Sequence, residues 1–354
     1  MIRGVAATIL DVARRARVSA ATASRVMTGS PHAVSEVTRK RVLAAARDLA
    51  YRPNMLARSL LTRETSAIGV LVPDVSNPYY AVILRGIEDA AGLARRAVIL
   101  CNTDRRHDKQ QAYLRTLLER RVDGVIITGG TFRKHDLAQV RTVLPAVVIG
   151  RHEVPVPFVR VDNIGAGRAA TQHLLRLGHR RIACVAGPVT SMTAVDRLEG
   201  YRRALAEAGL LPRPDDVVTA EFSLDGGRLG TARLCASPHP PTAIVASSDQ
   251  MAVGALRALS EAGLRVPADV SVIGFDDSPL ASFTVPALTS VAIPMYEMGR
   301  GAMELLLQLL RGEVPGSVVL PVELRVRETT APPRARPEAG QVGVGITTTK
   351  RSSG

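Results

Sequence analysis

Beginning at Ser66, short runs of β-branched and aliphatic residues alternate with helical stretches, and the alternation occurs twice. "SAIGVLVP", "AVILC", "DGVIIT" and "AVVIG" form a first series, separated by helical stretches over 79–95 and 108–121. After about residue 160 the pattern returns as "RIACVAG", "VVTAEF", "TAIVAS", "VSVIGF" and "TSVAI". Runs this short and this apolar are buried on both faces, which a parallel sheet flanked by helices achieves. Two series imply two similar α/β lobes with a cleft between them. At 354 residues the chain exceeds one ordinary core, so two or three domains are expected.

The first fifty residues have a different texture. Ile9, Val12, Ala13 and Ala16 fall on one helical face, and Thr8 with Asp11 is an N-cap pair. After the break "ARVS", Ser19 caps a second helix whose buried side is Ala23 and Val26. "TGSPHAVS" is a loop by its Gly and Pro content. Ser35 caps a third helix, with Val37, Leu43, Ala46 and Leu49 expected inward. Two short helices joined by a tight turn make a helix-turn-helix, whose second helix enters the DNA major groove by its N-terminal residues. The small side chains of "SAATAS" let that backbone approach the bases, and Arg25 can fork onto guanine O6 and N7. The alternative is a small three-helix cap with an arginine on its surface.

Charge separates these readings. Residues 1–63 hold twelve Lys/Arg against three Asp/Glu, while the 267 residues of 64–330 carry a net charge of only +2. A basic module on a near-neutral body points to nucleic acid. Pro53 breaks the third helix, and "RPNMLARSLLTRET" (52–65) is too short to hold a helix alone, so it reads as a hinge. Residues 331–354 are rich in Pro, Gly, Ser and Thr, carry no heptad repeat, and are expected to be disordered.

Other chemistries find little support. Cys101, Cys184 and Cys235 are widely spaced without a C-x-x-C, and read as buried free thiols. The seven histidines show no H-x-x-x-H, so no metal site is expected. "NIGAGRAA" contains G-x-G-x-x-A, yet no acid follows near the spacing a dinucleotide site requires. There is no G-x-S-x-G, P-loop or transmembrane-length apolar run. The N-terminus lacks the apolar core and cleavage site of a secretory signal, so the cytoplasm is the expected location.

The sequence resembles the lactose-repressor (LacI/GalR) family of bacterial transcription regulators. "ATILDVARRARVSAATASRV" and "VSEVTRKRVLAAARDLAYRPNMLARSL" carry the resemblance in the head. "IGVLVPDVSNPYYAVILRGIE", "LGHRRIACVAGP", "SSDQMAVGALRAL" and "ADVSVIGFDDSPLASFTVPALTSV" carry it in the body, so that it spans about residues 7–330. It implies a helix-turn-helix head over 7–51, a hinge helix over 52–65 and a periplasmic-binding-protein-like body over 66–330. It also implies a homodimer on double-stranded operator DNA and a small-molecule effector between the lobes, with no cofactor, no enzymatic activity and no membrane partner. Ala20 and Ala21 fall where the family reads base edges, Arg25 where it contacts guanine, and Thr22 and Ser24 where it touches phosphates. Thr8, Ser19 and Asn54 join the DNA-facing set. Arg17 stands at a turn position the family usually gives to Gly or Asn, and can meet a phosphate. In the hinge, Leu60 occupies the minor-groove wedge position with Ala57 one turn before it. The alternative is that Leu56, Leu60 and Leu61 pack the head onto the body.

For the cleft, the resemblance implies Tyr79, Tyr80, Thr193, Arg197, Phe222, Ser248 and Asp276 as effector-binding residues. An aromatic face stacks on a sugar or base while Arg and Asp take hydroxyls or ring edges. Gly150 and Ile293 replace an acid and a glutamine found in some members, which removes polar contacts on those sides. A transport-type sugar-binding protein would have no use for residues 8–60, and an α/β enzyme would need a nucleophile or metal cluster that the sequence lacks.

Overall fold

The computed structural model describes residues 7–28, 34–51, 64–129, 140, 142–152 and 155–334. The chain divides into two compact units, one of residues 1–66 with 121–123 and one of the remainder.

In the first unit, α1 (Ile9–Ala16), α2 (Ala20–Thr28) and α3 (Glu36–Asp48) close around Val12, Ala13, Ala16, Ala23, Val26, Val42, Ala45 and Ala46. So many alanines bring the helix axes close without large side chains. Thr8 and Asp11 form a reciprocal capping box: the Asp11 amide donates to Thr8 Oγ1 at 3.3 Å and the Thr8 amide to Asp11 Oδ2 at 2.9 Å. Arg17 ends α1 in the left-handed conformation, φ 53 and ψ 52, at about 1 kcal/mol for a residue with a Cβ. Ser19 Oγ accepts the Thr22 amide at 3.1 Å, and Ser35 Oγ the Thr38 amide at 3.3 Å.

One part of the sequence reading is corrected here. Val37 and Leu43 are exposed, at 71% and 38%, whereas Val42 and Ala45 point inward. The stripe that closes on α1 and α2 runs Val42, Ala45, Ala46, Leu49, and Val37 and Leu43 lie off it. Residues 52–63, with Asn54, Ala57 and Leu60, lie outside the described residues. Just after them, the Thr65 and Ser66 amides donate to the two oxygens of Asp123 at 2.7 and 2.9 Å.

The second unit holds two six-stranded sheets. Strands β1 (Ala67–Val72), β2 (Ala97–Asn102), β3 (Gly124–Thr128), β4 (Ala146–Ile149) and β5 (Phe158–Val161) lie in the order β5-β4-β3-β1-β2, all parallel. Strands β6 (Ile182–Ala186), β7 (Val217–Thr219), β8 (Ala243–Ala246), β9 (Ser271–Asp276) and β10 (Thr289–Ala292) repeat that order. Each sheet gains a sixth strand from the end of the chain: β11 (Val318–Leu320) parallel to β5, and β12 (Glu323–Arg325) antiparallel to β10. The helices are α4 (Pro78–Leu93), α5 (His107–Glu119), α6 (Asn163–Arg176), α7 (Met192–Glu207), α8 (Leu224–Cys235), α9 (Asp249–Glu261), α10 (Pro279–Phe283) and α11 (Met295–Leu310).

The lobes are not a first half and a second half. After β5 the chain leaves the first sheet, and α6 packs on α7, β8 and β10. After β10 it returns, and α11 packs on α4, β3, β4 and β5. It crosses a third time between β11 and β12, so three short connections join the lobes. The helix pair α4–α11 touches backbone to backbone: a Cβ on Gly86 would lie 2.1 Å from Tyr296 O, and one on Gly299 2.0 Å from Ile83 O. The second glycine of the G-x-G-x-x-A run has a similar task. Gly167 lies inside α6, where a Cβ would meet Arg197 O on α7 at 2.2 Å.

Residues 331–334, expected in the disordered tail, are described, and Ala331 is fastened to the second lobe. His179 Nε2 lies 2.9 Å from Ala331 O, and the Ala331 amide donates to Ser271 Oγ at 3.1 Å. Cys101 and Cys184 are buried free thiols, but Cys235 is only half-buried. Among the described residues no helix is long and apolar enough to cross a membrane, and no His, Cys, Asp and Glu cluster could hold a metal ion.

Candidate functional site

Two surfaces gather the residues singled out from the sequence. On the head, α2 begins with Ala20 half-buried and Ala21 exposed, its Ala23 and Val26 turned into the core. Arg25 is exposed on the same helix, and Arg17 is exposed on the turn that precedes it. Thr22 and Ser24 are half-buried and Ser19 exposed beside them. The Thr8 hydroxyl is already committed, donating to Asp11 Oδ2 at 2.7 Å while accepting the Asp11 amide. Thr8 therefore fixes the start of α1, and meeting a phosphate with that hydrogen would mean giving up the Asp11 bond. The helix start thus presents a thin, methyl-surfaced edge followed one turn later by a guanidinium.

In the second unit a cleft lies between the lobes, and all seven residues expected there line it. The reason is topological. Each comes from a loop or helix start that follows the C-terminal end of a parallel strand, where α/β sheets place their ligands. Tyr79 and Tyr80 follow β1, opening α4 behind Pro78, with their rings edge to face at 5.1 Å. Thr193 and Arg197 open α7 after β6, Phe222 follows β7, Ser248 caps α9 after β8, and Asp276 ends β9. Phe222 lies against Gly187, where a Cβ would come within 2.4 Å of the ring.

At the base of the cleft, Arg197 and Asp276 form a buried pair, 3% and 6% exposed. Both guanidinium terminal nitrogens donate to Asp276 Oδ1 at 3.3 Å. Arg197 also donates to Ser247 O at 2.7 Å and Asn163 Oδ1 at 3.0 Å, and lies over the Phe275 ring at 4.6 Å. Burial holds the Asp276 carboxyl above its ordinary range despite the arginine beside it. Burial, with Asp276 as the second cause, does the same to Asp249. The Tyr79 hydroxyl is pushed far above the usual phenol range, first by burial and then by Asp276.

Asp276 and Asp277 both adopt positive φ, 106 and 52, a conformation that needs support from its surroundings. That support is a network sequence reading missed. Asp249 Oδ2 accepts the Ser278 amide and Oδ1 the Ser290 hydroxyl, each at 2.6 Å. Ser290 Oγ in turn accepts the Asp277 amide at 3.1 Å, and Arg327 donates to Asp277 Oδ1 at 2.6 Å. Asp249 lies in the quoted "SSDQ" run, but nothing local to Ser290 or Arg327 announces the role.

The lining also includes Asn77, Arg105, Gly129, Thr190 and Ser191, which sequence reading does not single out. Arg105 matters most: it rises from the first lobe and places its guanidinium 5.5 Å from the centre of the Phe222 ring on the second. Arg151 and Asp196 make another contact between lobes, at 3.0 Å. Gly150 and Ile293, expected to leave weakly polar sides, are not in the lining.

Comparison with known proteins identifies both parts of the chain. Residues 8–54 match the family model described as bacterial regulatory proteins, lacI family, and residues 171–330 a periplasmic binding protein-like domain. Catabolite control protein A of Priestia megaterium is 38% identical over 91% of this chain and 99% of its own length. The transcriptional repressor CytR of Escherichia coli (strain K12) is 36% identical over 92% and 96%. The solved lac repressor dimer bound to operator and the anti-inducer ONPF superimposes with a TM-score of 0.85 at 33% identity, over 92% of this chain and 99% of that one.

Proposed function

The chain belongs to the lacI family of bacterial regulatory proteins, and on that premise we propose how its two surfaces divide the work of an effector-responsive transcriptional repressor. The head reads DNA through α2. Ala20 and Ala21 meet base edges as methyl contacts, Arg25 takes guanine, and Arg17, Ser19, Thr22 and Ser24 meet the backbone. Thr8 orders the first helix, and Asn54, Ala57 and Leu60 act in the hinge, with Leu60 as the wedge. Two copies related by a two-fold axis read a pseudo-palindrome. The protein works in the cytoplasm as a regulator and not as a catalyst.

The cleft is the effector site, and the observation that carries this reading is the convergence of Tyr79, Tyr80, Thr193, Arg197, Phe222, Ser248 and Asp276 from both lobes. A ligand touching both lobes favours one arrangement of them over another. The three connections transmit that preference, and operator affinity should change by about 5- to 150-fold. The test is to recover sites from a random DNA pool with the full chain, then measure their affinity with each small molecule that raises its melting temperature. Sites lacking two-fold symmetry, or affinities indifferent to every such molecule, would overturn the proposal.

A further inference from the structure

We propose that the cleft is built for an acidic effector, a polyol or sugar bearing a phosphate or carboxylate, with Arg105 as the residue that selects the acid group. The inference rests on the reading of the cleft as the effector site and adds to it the ligand's charge.

The lining carries Arg105, Arg197 and one carboxylate, Asp276. Arg197 and Asp276 satisfy each other, so the side chains leave one positive charge over. That charge is Arg105, which has no carboxylate partner among the described residues; its guanidinium lies by the Phe222 ring and beside the Tyr80 hydroxyl. Of the acidic residues nearby, Asp104 is paired with Lys109 and also accepts from Asn102, while Asp74 makes no ion pair with Arg105 and accepts at one oxygen from the amide and hydroxyl of Ser76. Asp104 and Arg105 both hold left-handed backbones, φ 50 and 56. The loop is thus held in a costly shape that turns one arginine toward the cleft and its acidic neighbour toward a lysine.

The wall adds hydrogen-bond donors to this charge. Asn77 Oδ1 accepts the Tyr79 amide, Ser191 Oγ the Ala194 amide, and Ser248 Oγ the Met251 amide. Helix capping therefore consumes acceptors on three lining residues, while the Asn77 amide hydrogens remain for a ligand and each serine hydroxyl can donate. Arg105 adds a planar fork suited to a phosphate or carboxylate. These donors beside Arg105 suit the oxygens of an acid group, while Asp276 Oδ2, to which Arg197 does not donate, and the lining hydroxyls can accept from the ligand's own hydroxyls.

The experiment is calorimetric titration of the full chain with matched probes: ribose against ribose 5-phosphate, glucose against glucose 6-phosphate, and glucose against gluconate, with inorganic phosphate alone as control. At least one acidic member should bind roughly tenfold more tightly than its neutral parent. Whether that member is a phosphate or a carboxylate identifies the group. Arg105→Gln should reduce the ratio to about one, Arg105→Lys should retain part of it, and added salt should lower it. Neutral parents binding as tightly as their acids, a ratio unchanged in Arg105→Gln, or no acidic probe binding at millimolar concentration would each overturn the inference. A neutral sugar whose binding needs Asp276 but not Arg105 would refute the acid preference and leave the cleft reading standing. Acid binding untouched by both Arg105→Gln and Asp276→Asn would place the ligand elsewhere and refute both.

Discussion

Replacing Asp276 by asparagine keeps the shape of the cleft floor and removes one charge beneath it. Deleting one partner of a buried ion pair generally costs about 3–5 kcal/mol, because the other charge is left unpaired. Three features lower that figure here. Arg197 keeps two acceptors, Ser247 O and Asn163 Oδ1. The pair itself is long, with both nitrogens sharing one oxygen at 3.3 Å. Burial already opposes ionisation of the carboxylate. Asp276→Asn should therefore cost about 1–3 kcal/mol, the worth of a hydrogen bond to a charged group. Arg197→Met strands Asp276 and two further acceptors and should cost about 3–5 kcal/mol. The pH dependence provides a second readout. Above the ordinary carboxylate pKa of about 4, and up to its own raised value, native Asp276 keeps a proton that the unfolded chain has released. Its contribution is complete below that window and is lost as pH rises through it. Wild-type stability should carry this downward component between about pH 4 and about 6, and Asp276→Asn should lack it while keeping the part that belongs to Asp249. Urea unfolding followed by circular dichroism measures both effects in a chain without tryptophan. A larger loss for Asp276→Asn than for Arg197→Met, or an unchanged pH slope, would refute the account of the pair.

Other perturbations address separate parts of the molecule. Gly86→Ala drives a Cβ to 2.1 Å from Tyr296 O and should destabilise by about 1–3 kcal/mol or more. Gly92→Ala on the same helix meets nothing within 4 Å and should stabilise by about 0.5–1 kcal/mol; thermal melts giving both the same sign would contradict the packing argument. Burial lowers the pKa of His179, so its contribution is present above about pH 6.5 and lost as pH falls below it. His179→Gln should flatten that acid-side loss, and hydrogen exchange should show residues 329–331 released first; a wild-type acid slope that survives the substitution argues against this. Arg25→Ala should cost about 1–3 kcal/mol per half-site on a specific operator and less on random DNA. Equal losses on both, measured by fluorescence anisotropy, would make Arg25 a phosphate anchor.

How much of this was legible in the sequence depended on whether the signal was local. Runs of β-branched residues located β1–β4 and β6–β10; β3, β4, β6, β8 and β9 are buried along their whole length, as apolar runs covered on both faces should be, whereas β2 and β7, expected to be buried likewise, are partly exposed at the sheet edge. The caps at Thr8, Ser19 and Ser35 were legible because a cap is satisfied within four residues. The seven cleft residues came from resemblance, and their meeting follows from the rule that parallel strands deliver loops to one edge. The misassigned Val37 and Leu43 show where local reading stops: both are apolar and helical, and only the direction of α1 and α2 decides that Val42 and Ala45 face the core. Tertiary structure alone moved α11 from the second series of strands into the first lobe, since no periodicity records which sheet a helix covers. It alone brought Arg105 over Phe222 and Arg327 to Asp277, because these pairs join residues 117 and 50 positions apart. A single sequence records each side chain and its local preferences. It does not record the distance across a cleft, and that distance determines which charge is neutralised and which is left to meet a ligand.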